Sequence, residues 1–378
     1  MKRIWWLIQQ LDAIGGTEMV STQIMNGLCD EYEINLVCLG EKPEKINYQI
    51  DERIKIHYIN IDKLYLKCDE QLSNMINKKR YLKFIISIIK IAYFWAFKRF
   101  HFRKKIKELT SHDDLIIASS LDNYAVSPRG RKVFFHYHFN AKFFFALSSR
   151  LGLLICRKPD KWIFITNTTK EQVTKKVEGL KDKVHAIHNP TRYERYLDTT
   201  YKNNNLIFIG RYAPQKRPLL AIEMAKILKT MTNDFTLNFY GDGPLKQKMI
   251  DLVNDYQLND NVIINSSNPN ILDEIRKSDL LVMTSEYEGF GLVILEANSQ
   301  SVPCITLYWG DATQEIVSNG KNGYIIMNDD INKQAQTIFE LLTNKEELIT
   351  LKTNSYHYAD LFTKETIIKE WKELLNRE

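Results

Sequence analysis

The chain has no Cys-x-x-Cys pair; its five cysteines, Cys29, Cys38, Cys68, Cys156 and Cys304, are scattered. That excludes a clustered zinc site and a disulfide framework, and it points to a reducing compartment. No Asp-x-Asp occurs anywhere, and no metal site is expected. An export segment is also missing, because Ile4-Trp5-Trp6-Leu7-Ile8 after Met1-Lys2-Arg3 is too short for one. A cytoplasmic protein is the expectation. Internal repeats, low-complexity tracts and recognised nucleic-acid motifs are absent, so no nucleic-acid partner is expected.

What remains is ordinary folded-protein material, 44% apolar and 26% charged. A chain of 378 residues exceeds one typical core, and two domains of roughly 180 residues each are the natural division. Charge is unevenly spread. Residues 1–190 hold 32 Lys/Arg against 20 Asp/Glu, whereas residues 191–378 hold 20 against 26, giving balances of +12 and −6. A basic half joined to an acidic half predicts that one domain faces an anionic partner.

Short β-branched or aromatic runs alternate with amphipathic stretches, the pattern of parallel sheets covered by helices. The first half reads as strands near Arg3–Leu11, Ile34–Leu39, Ile54–Ile59, Asp114–Ser119, Lys132–His138, Trp162–Thr166 and Val184–His188. The second reads as strands near Leu206–Gly210, Thr236–Tyr240, Val262–Asn265, Leu280–Thr284, Pro303–Leu307 and Gly323–Ile326, each with a helix after it. The prediction is an α/β chain of two Rossmann-like domains, 1–189 and 190–359, joined by the polar stretch from Asn189-Pro190 to Asn205. A last helix, about 360–378, is expected to fold back on the first domain.

Residues 78–107 stand apart, with eleven Lys/Arg, no acid, and interleaved aromatics including Tyr81, Phe84, Trp95 and Phe100. The apolar run Phe84–Phe97 is broken by Lys90, and it falls short of the ~18–20 residues a membrane span needs. A basic aromatic helix of this kind suits an anionic membrane surface. A core helix with a solvated basic edge is the alternative.

The densest chemistry lies in Glu288-Gly289-Phe290-Gly291-Leu292-Val293-Ile294-Leu295-Glu296, which follows the buried run Asp279–Ser285. Strand, glycine turn and helix place the two glutamates at the carboxyl end of a parallel sheet, where open α/β folds bind ligands. Arg211 and Lys216, after the first strand of the same domain, are two cations suited to a diphosphate. Gly241 sits in a further strand-to-helix turn, Tyr240-Gly241-Asp242-Gly243-Pro244. In the first domain, Gly15-Gly16 closes the first strand and opens a helix whose amino end favours an anion. Read alone, each of these is also compatible with a plain turn or a solvated charge.

Taken together these residues resemble the GT-B glycosyltransferases of family 4, the large retaining group. The resemblance rests on Gly210-Arg211 with Lys216, Tyr240–Pro244, Ser285–Ala297, Val302-Pro303, Glu315-Ile316-Val317 and Gly320–Gly323, and is dense across about 206–327. It implies a nucleotide-sugar donor, with uridine as the family's usual base, and a membrane-linked or surface-glycan acceptor. Arg211 and Lys216 would hold the donor diphosphate, Glu296 the ribose, and Glu288 the transferred sugar, in a pocket lined by Gly289, Phe290 and Gly291. His138 takes the place of a family histidine near that sugar, with His136 as the second choice. Metal independence and a position on the inner face of the membrane follow as expectations. Two departures stand out: Ser301 precedes Val302-Pro303 where the family often has glycine, and Trp309 and Asp311 occupy a loop that is usually glycine-rich. A catalytically silent GT-B protein that binds a glycan or partners a transferase is the alternative reading.

Overall fold

A computed structural model describes residues 1–12, 15–60, 96, 99–145, 158–177 and 179–377. The chain forms two compact units. The first holds Met1–His138, Lys142–Phe164 and Val177–His185; the second holds Phe139–Ala141, Ile165–Lys176 and Ala186–Glu378. The crossing at His185–Ala186 lies a few residues ahead of the boundary read from the sequence. The helix Lys364–Asn376 is counted in the second unit, and just ahead of it Phe362 is buried in that unit's apolar cluster.

In the first unit, β1 (Lys2–Ile8), β2 (Tyr32–Cys38), β3 (Lys55–Tyr58), β4 (Leu115–Ala118), β5 (Lys132–Tyr137), β6 (Lys161–Phe164) and β7 (Val184–Ala186) form one sheet of order β3-β2-β1-β4-β5-β6-β7. Central strands of a covered parallel sheet are buried on both faces, so they read as unbroken apolar runs. Ile4 through Ile8 accordingly all lie in the core. The two indoles among them find polar partners: Trp5 Nε1 donates to Asp114 Oδ2 at 2.9 Å and Trp6 Nε1 to Ser119 Oγ at 2.7 Å. The helix Gly16–Leu28 buries Val20, Ile24, Met25 and Leu28, one stripe at helical spacing.

The second unit repeats the plan. Its strands β8 (Asn205–Ile209), β9 (Thr236–Tyr240), β10 (Val262–Asn265), β11 (Leu280–Met283), β12 (Cys304–Leu307) and β13 (Gly323–Ile326) run in the order β10-β9-β8-β11-β12-β13. Side chains alternate across the sheet. Leu206 and Phe208 join one cluster with the helices Pro218–Lys229 and Ile331–Thr343, whereas Ile207 joins another with Phe290, Ile294, Leu295 and Phe362. The order reverses between β8 and β11, and there the strands diverge. At their amino ends Asp279 N donates to Asn205 O at 2.6 Å, and the buried Lys352 binds the Asp279 carboxylate at 3.1 Å. Pairing then covers only Leu280↔Leu206 and Leu281↔Ile207, and the carboxyl ends at such a reversal are where open α/β sheets place a binding crevice.

Of the basic aromatic segment 78–107, only residues 96 and 99–107 are described; the rest lies outside the described residues. Residues 99–109 form a helix that buries Phe102 and Ile106 and exposes Phe100, Lys104, Lys105 and Lys107. Among the described residues no helix is long and apolar enough to cross a membrane.

Candidate functional site

The loops that leave β8 and β11 flank this crevice and are tied to each other. Glu286 N donates to Gln215 O at 2.9 Å, and Gln215 Nε2 donates to Tyr287 O at 2.9 Å. Thr284 Oγ1 reaches both Lys216 O at 3.1 Å and Arg217 O at 2.8 Å. Arg217 completes the clamp: its Nε donates to Thr284 O at 2.6 Å, and its two terminal nitrogens grip Asp329 at 2.8 Å each. Such a fork-to-carboxylate bond is directional and fixes the loop as well as the charge. Arg217 itself sits at φ +47°, a left-handed turn that starts the helix Pro218–Lys229 with proline at its first position.

Across this clamp Lys216 Nζ meets Glu288 Oε1 at 2.5 Å, with side-chain exposures of 19% and 8%. The cation and the carboxylate lie 72 positions apart in sequence, so only the fold brings them together. Arg211 is exposed two residues past the end of β8. Gly241 allows the neighbouring turn to close: a Cβ there would stand 1.9 Å from Gly210 O. Gly291 takes φ +88° as it starts the helix Leu292–Asn298, with Trp309 behind it at 3.3 Å from where a Cβ would be. Gly289 precedes Phe290, whose ring is buried beneath the turn.

Glu296 lies further along that helix and is not part of the Lys216–Glu288 pair. It is buried at 8% exposure. Burial pushes its carboxyl up to about 7, and the Arg192 guanidinium offsets this only in part. Glu315 behaves oppositely. Burial would raise it as well, but hydrogen bonds from His188, Thr168 and Asn167 hold it down to about 2.

Two departures noted in the sequence acquire physical reasons. Ser301 takes the left-handed φ of +61° that glycine would adopt freely. Its hydroxyl accepts from Asp198 N at 3.0 Å and donates to Tyr196 O at 2.9 Å, bonds a glycine could not make. Trp309 is buried in the cluster that carries Phe290, and Asp311 accepts from Gln172 Nε2 at 3.0 Å.

In the first unit, Gly15 N donates to Tyr48 Oη at 2.8 Å, and Gly16 opens the helix. His136, on β5, is fully buried, and His138 follows the strand at 8% exposure. Their rings lie 4.0 Å apart between centroids. Burial drives both imidazoles down, His138 to about 3, so both are neutral at physiological pH.

Sequence reasoning missed Arg217, Gln215 and Thr284, which hold the loops, and His188, which partners Glu315. Arg217 carried one signal, a cation directly before a helix-starting proline.

Residues 195–358 match the family model described as glycosyl transferases group 1. An uncharacterized glycosyltransferase of Haemophilus influenzae is 22% identical over 99% of this chain and 100% of its own length. The poly(ribitol-phosphate) alpha-N-acetylglucosaminyltransferase of Staphylococcus aureus is 29% identical over 44% of this chain, a match that spans 34% of that protein. Among solved structures, a mutant of S. aureus TarM in complex with fondaparinux, alpha-GlcNAc-glycerol and UDP has a TM-score of 0.75 at 15% identity, covering 100% of both chains. With its two Rossmann-like parallel-sheet units the chain has the GT-B fold, and its residues 195–358 are similar to the glycosyl transferases group 1.

Proposed function

We propose that this glycosyltransferase moves a sugar, with retention, from a UDP-sugar to a saccharide or lipid-linked acceptor in the synthesis of a cell-surface glycan. The observation that carries the reading is the Lys216–Glu288 pair, held across the β8 and β11 loops at the mouth of the switch-point crevice. A diphosphate entering there meets Lys216 as a point charge and Arg211 as a fork. Both cations stabilise negative charge as it develops on the leaving group. Glu288 then faces the transferred sugar, and Glu296 takes the ribose hydroxyls. The bond between the anomeric carbon and the diphosphate oxygen breaks, and a bond to the acceptor oxygen forms on the same face. The leaving phosphate accepts the acceptor's proton, and UDP departs. Glu288 thus positions the sugar and stabilises charge, with no attack by the carboxylate required. No metal is needed in this scheme, because the two cations supply the positive charge.

The names of similar proteins, which print UDP and poly(ribitol-phosphate), favour a UDP-linked donor and a polymer acceptor. The surplus of Lys/Arg in residues 78–107 favours acceptor delivery at an anionic membrane on its cytoplasmic face.

The test is a panel of nucleotide sugars in thermal-shift and turnover assays on wild type, Lys216→Ala and Glu288→Ala. UDP and one UDP-sugar are expected to raise the melting temperature of wild type. Each substitution should lower kcat/KM by about 10²–10³-fold, and EDTA should leave turnover intact. A wild type that no nucleotide stabilises would sink the reading, and loss of turnover to EDTA with recovery in magnesium would overturn its metal-free part. Stronger flotation on anionic than on neutral liposomes is the outcome expected of the membrane surface; equal recovery removes it.

A further inference from the structure

Behind the Gly289–Gly291 turn lies a cluster of rings that the donor site does not itself use. Phe290 is 3% exposed, and its ring centroid stands 5.7 Å from that of His188 and 6.1 Å from that of Phe362. His188 and Phe362 are 5.4 Å apart at 69°, an edge-on contact. Such offset and edge-to-face arrangements are the favoured geometries for aromatic neighbours. The imidazole is therefore one of three mutually packed rings.

An imidazole also has a polar edge, and here it is occupied. His188 Nε2 lies 3.0 Å from Glu315 Oε2. The same carboxylate accepts the backbone N–H groups of Asn167 at 2.7 Å and Thr168 at 2.5 Å, the free amino end of the helix Asn167–Lys176. An ionised carboxylate can only accept, so Nε2 is the protonated nitrogen and the ring plane is set by that bond. A second carboxylate, Glu370 on the helix Lys364–Asn376, also lies within electrostatic reach of His188. The ring is thus held through Nε2 by Glu315 and packed, tilted and edge-on, against phenylalanines from two other segments.

We propose that His188 is a positioning residue for the donor sugar: held by Glu315, it stacks behind Phe290 and fixes the Gly289–Gly291 backbone where the transferred sugar rests. The proposal builds on the donor-site reading for the identity of the ligand, whereas the support of the loop by His188 is independent of it. Phosphate contacts through Lys216 and Arg211 are not routed through this ring. A disturbed His188 should therefore change the chemical step more than nucleotide binding.

Two substitutions separate the ring from its polar edge. His188→Gln retains a donor for Glu315 without a ring; His188→Phe retains a ring without the donor. Hydrogen exchange of the peptide spanning residues 286–298 reads the loop directly, and turnover with the active UDP-sugar reads its consequence. H188Q is expected to speed exchange in that peptide about tenfold and to lower kcat about tenfold, with the donor KM and the UDP-induced thermal shift within about twofold of wild type. H188F is expected to restore both exchange and kcat to within about threefold. Wild-type exchange in H188Q overturns the proposal. So does an equal fall of H188Q and H188F in kcat together with melting temperature, because that marks a purely structural role. If no nucleotide binds wild type while H188Q still loosens the loop, the donor reading fails and the support of the loop by His188 stands.

Discussion

In the first unit β1 and β4 stay paired through Leu7↔Ala118, and the turn beyond them is lined by Gly15, Gly16 and the Tyr48 hydroxyl. In the second unit β8 and β11 part after Leu281↔Ile207, and the loops beyond them carry Arg211, Lys216 and Glu288. The strand order is the same in both sheets as far as their sixth strands. Topology therefore decides where a crevice can form, and the loop residues decide what it can hold. The glycine turn of the first unit carries no cation and has the Glu18 carboxylate beside it. A cation and a carboxylate locked together by cross-loop hydrogen bonds make a site prepared for a charged ligand.

The two turns should differ most in their tolerance of a single methyl group. At Gly241 a Cβ would collide with a carbonyl oxygen of the backbone, which cannot move without disturbing β8. At Gly15 the nearest atom would be the Glu18 carboxylate oxygen, the far end of a flexible side chain. Gly241→Ala is therefore expected to destabilise the second unit by about 3 kcal/mol, and Gly15→Ala by less than about 1 kcal/mol. Urea unfolding of both variants checks this. Equal losses would mean that the first turn is as tightly closed as the second.

One buried group in each unit, Glu296 in the second and His138 in the first, should also respond to acid with opposite signs. Glu296 titrates near 7 in the folded chain against an ordinary 4.5. Between those values the folded state holds a proton that the unfolded state has released, so stability falls as pH rises through the window. The penalty is complete above pH 7. Its size is on the order of 2–3 kcal/mol. His138 is neutral down to about 3 when folded, whereas an unfolded histidine protonates below 6.5. Its contribution is intact above 6.5 and is lost as pH falls toward 3. Relative to wild type, Glu296→Gln should gain melting temperature as pH rises from 5 to 7, whereas His138→Gln should gain it as pH falls from 6.5 to 5. Parallel responses in the two variants would erase this contrast between the units.

The thirteen strands among the described residues stand within a few residues of where the sequence places them, because a covered parallel sheet writes itself as apolar runs between turn residues. The Glu288–Glu296 segment was legible for the same reason: two carboxylates flank a glycine turn directly after such a run. The clamp was not. Arg217 and Asp329 are 112 positions apart, and His188 and Glu315 are 127 apart. Polar partners carry no periodic signature, so nothing local distinguishes them from solvated charges. Glu296 shows the limit most directly. Its identity and position are readable, but neither the burial that lifts its carboxyl to about 7 nor the Arg192 charge that partly offsets it is written in the local sequence.

Ser301 offers the finest distinction. It holds a backbone conformation that costs a residue with a Cβ roughly 1 kcal/mol relative to glycine. Against this stand two hydrogen bonds, from Asp198 N and to Tyr196 O, each worth about 0.5–1.5 kcal/mol net. The terms nearly cancel, so Ser301→Gly should shift the stability of the second unit by less than about 1 kcal/mol. Ser301→Ala loses the bonds and keeps the backbone cost, so it should be the more damaging of the two by about 1 kcal/mol. Chemical denaturation of the pair measures that order. The reverse order would show that the left-handed turn costs a Cβ nothing here, whereas a Ser301→Ala as stable as wild type would show that the hydroxyl contributes nothing and that the segment Tyr196–Asp198 is held by the Tyr196 N to Ser299 O bond at 2.7 Å.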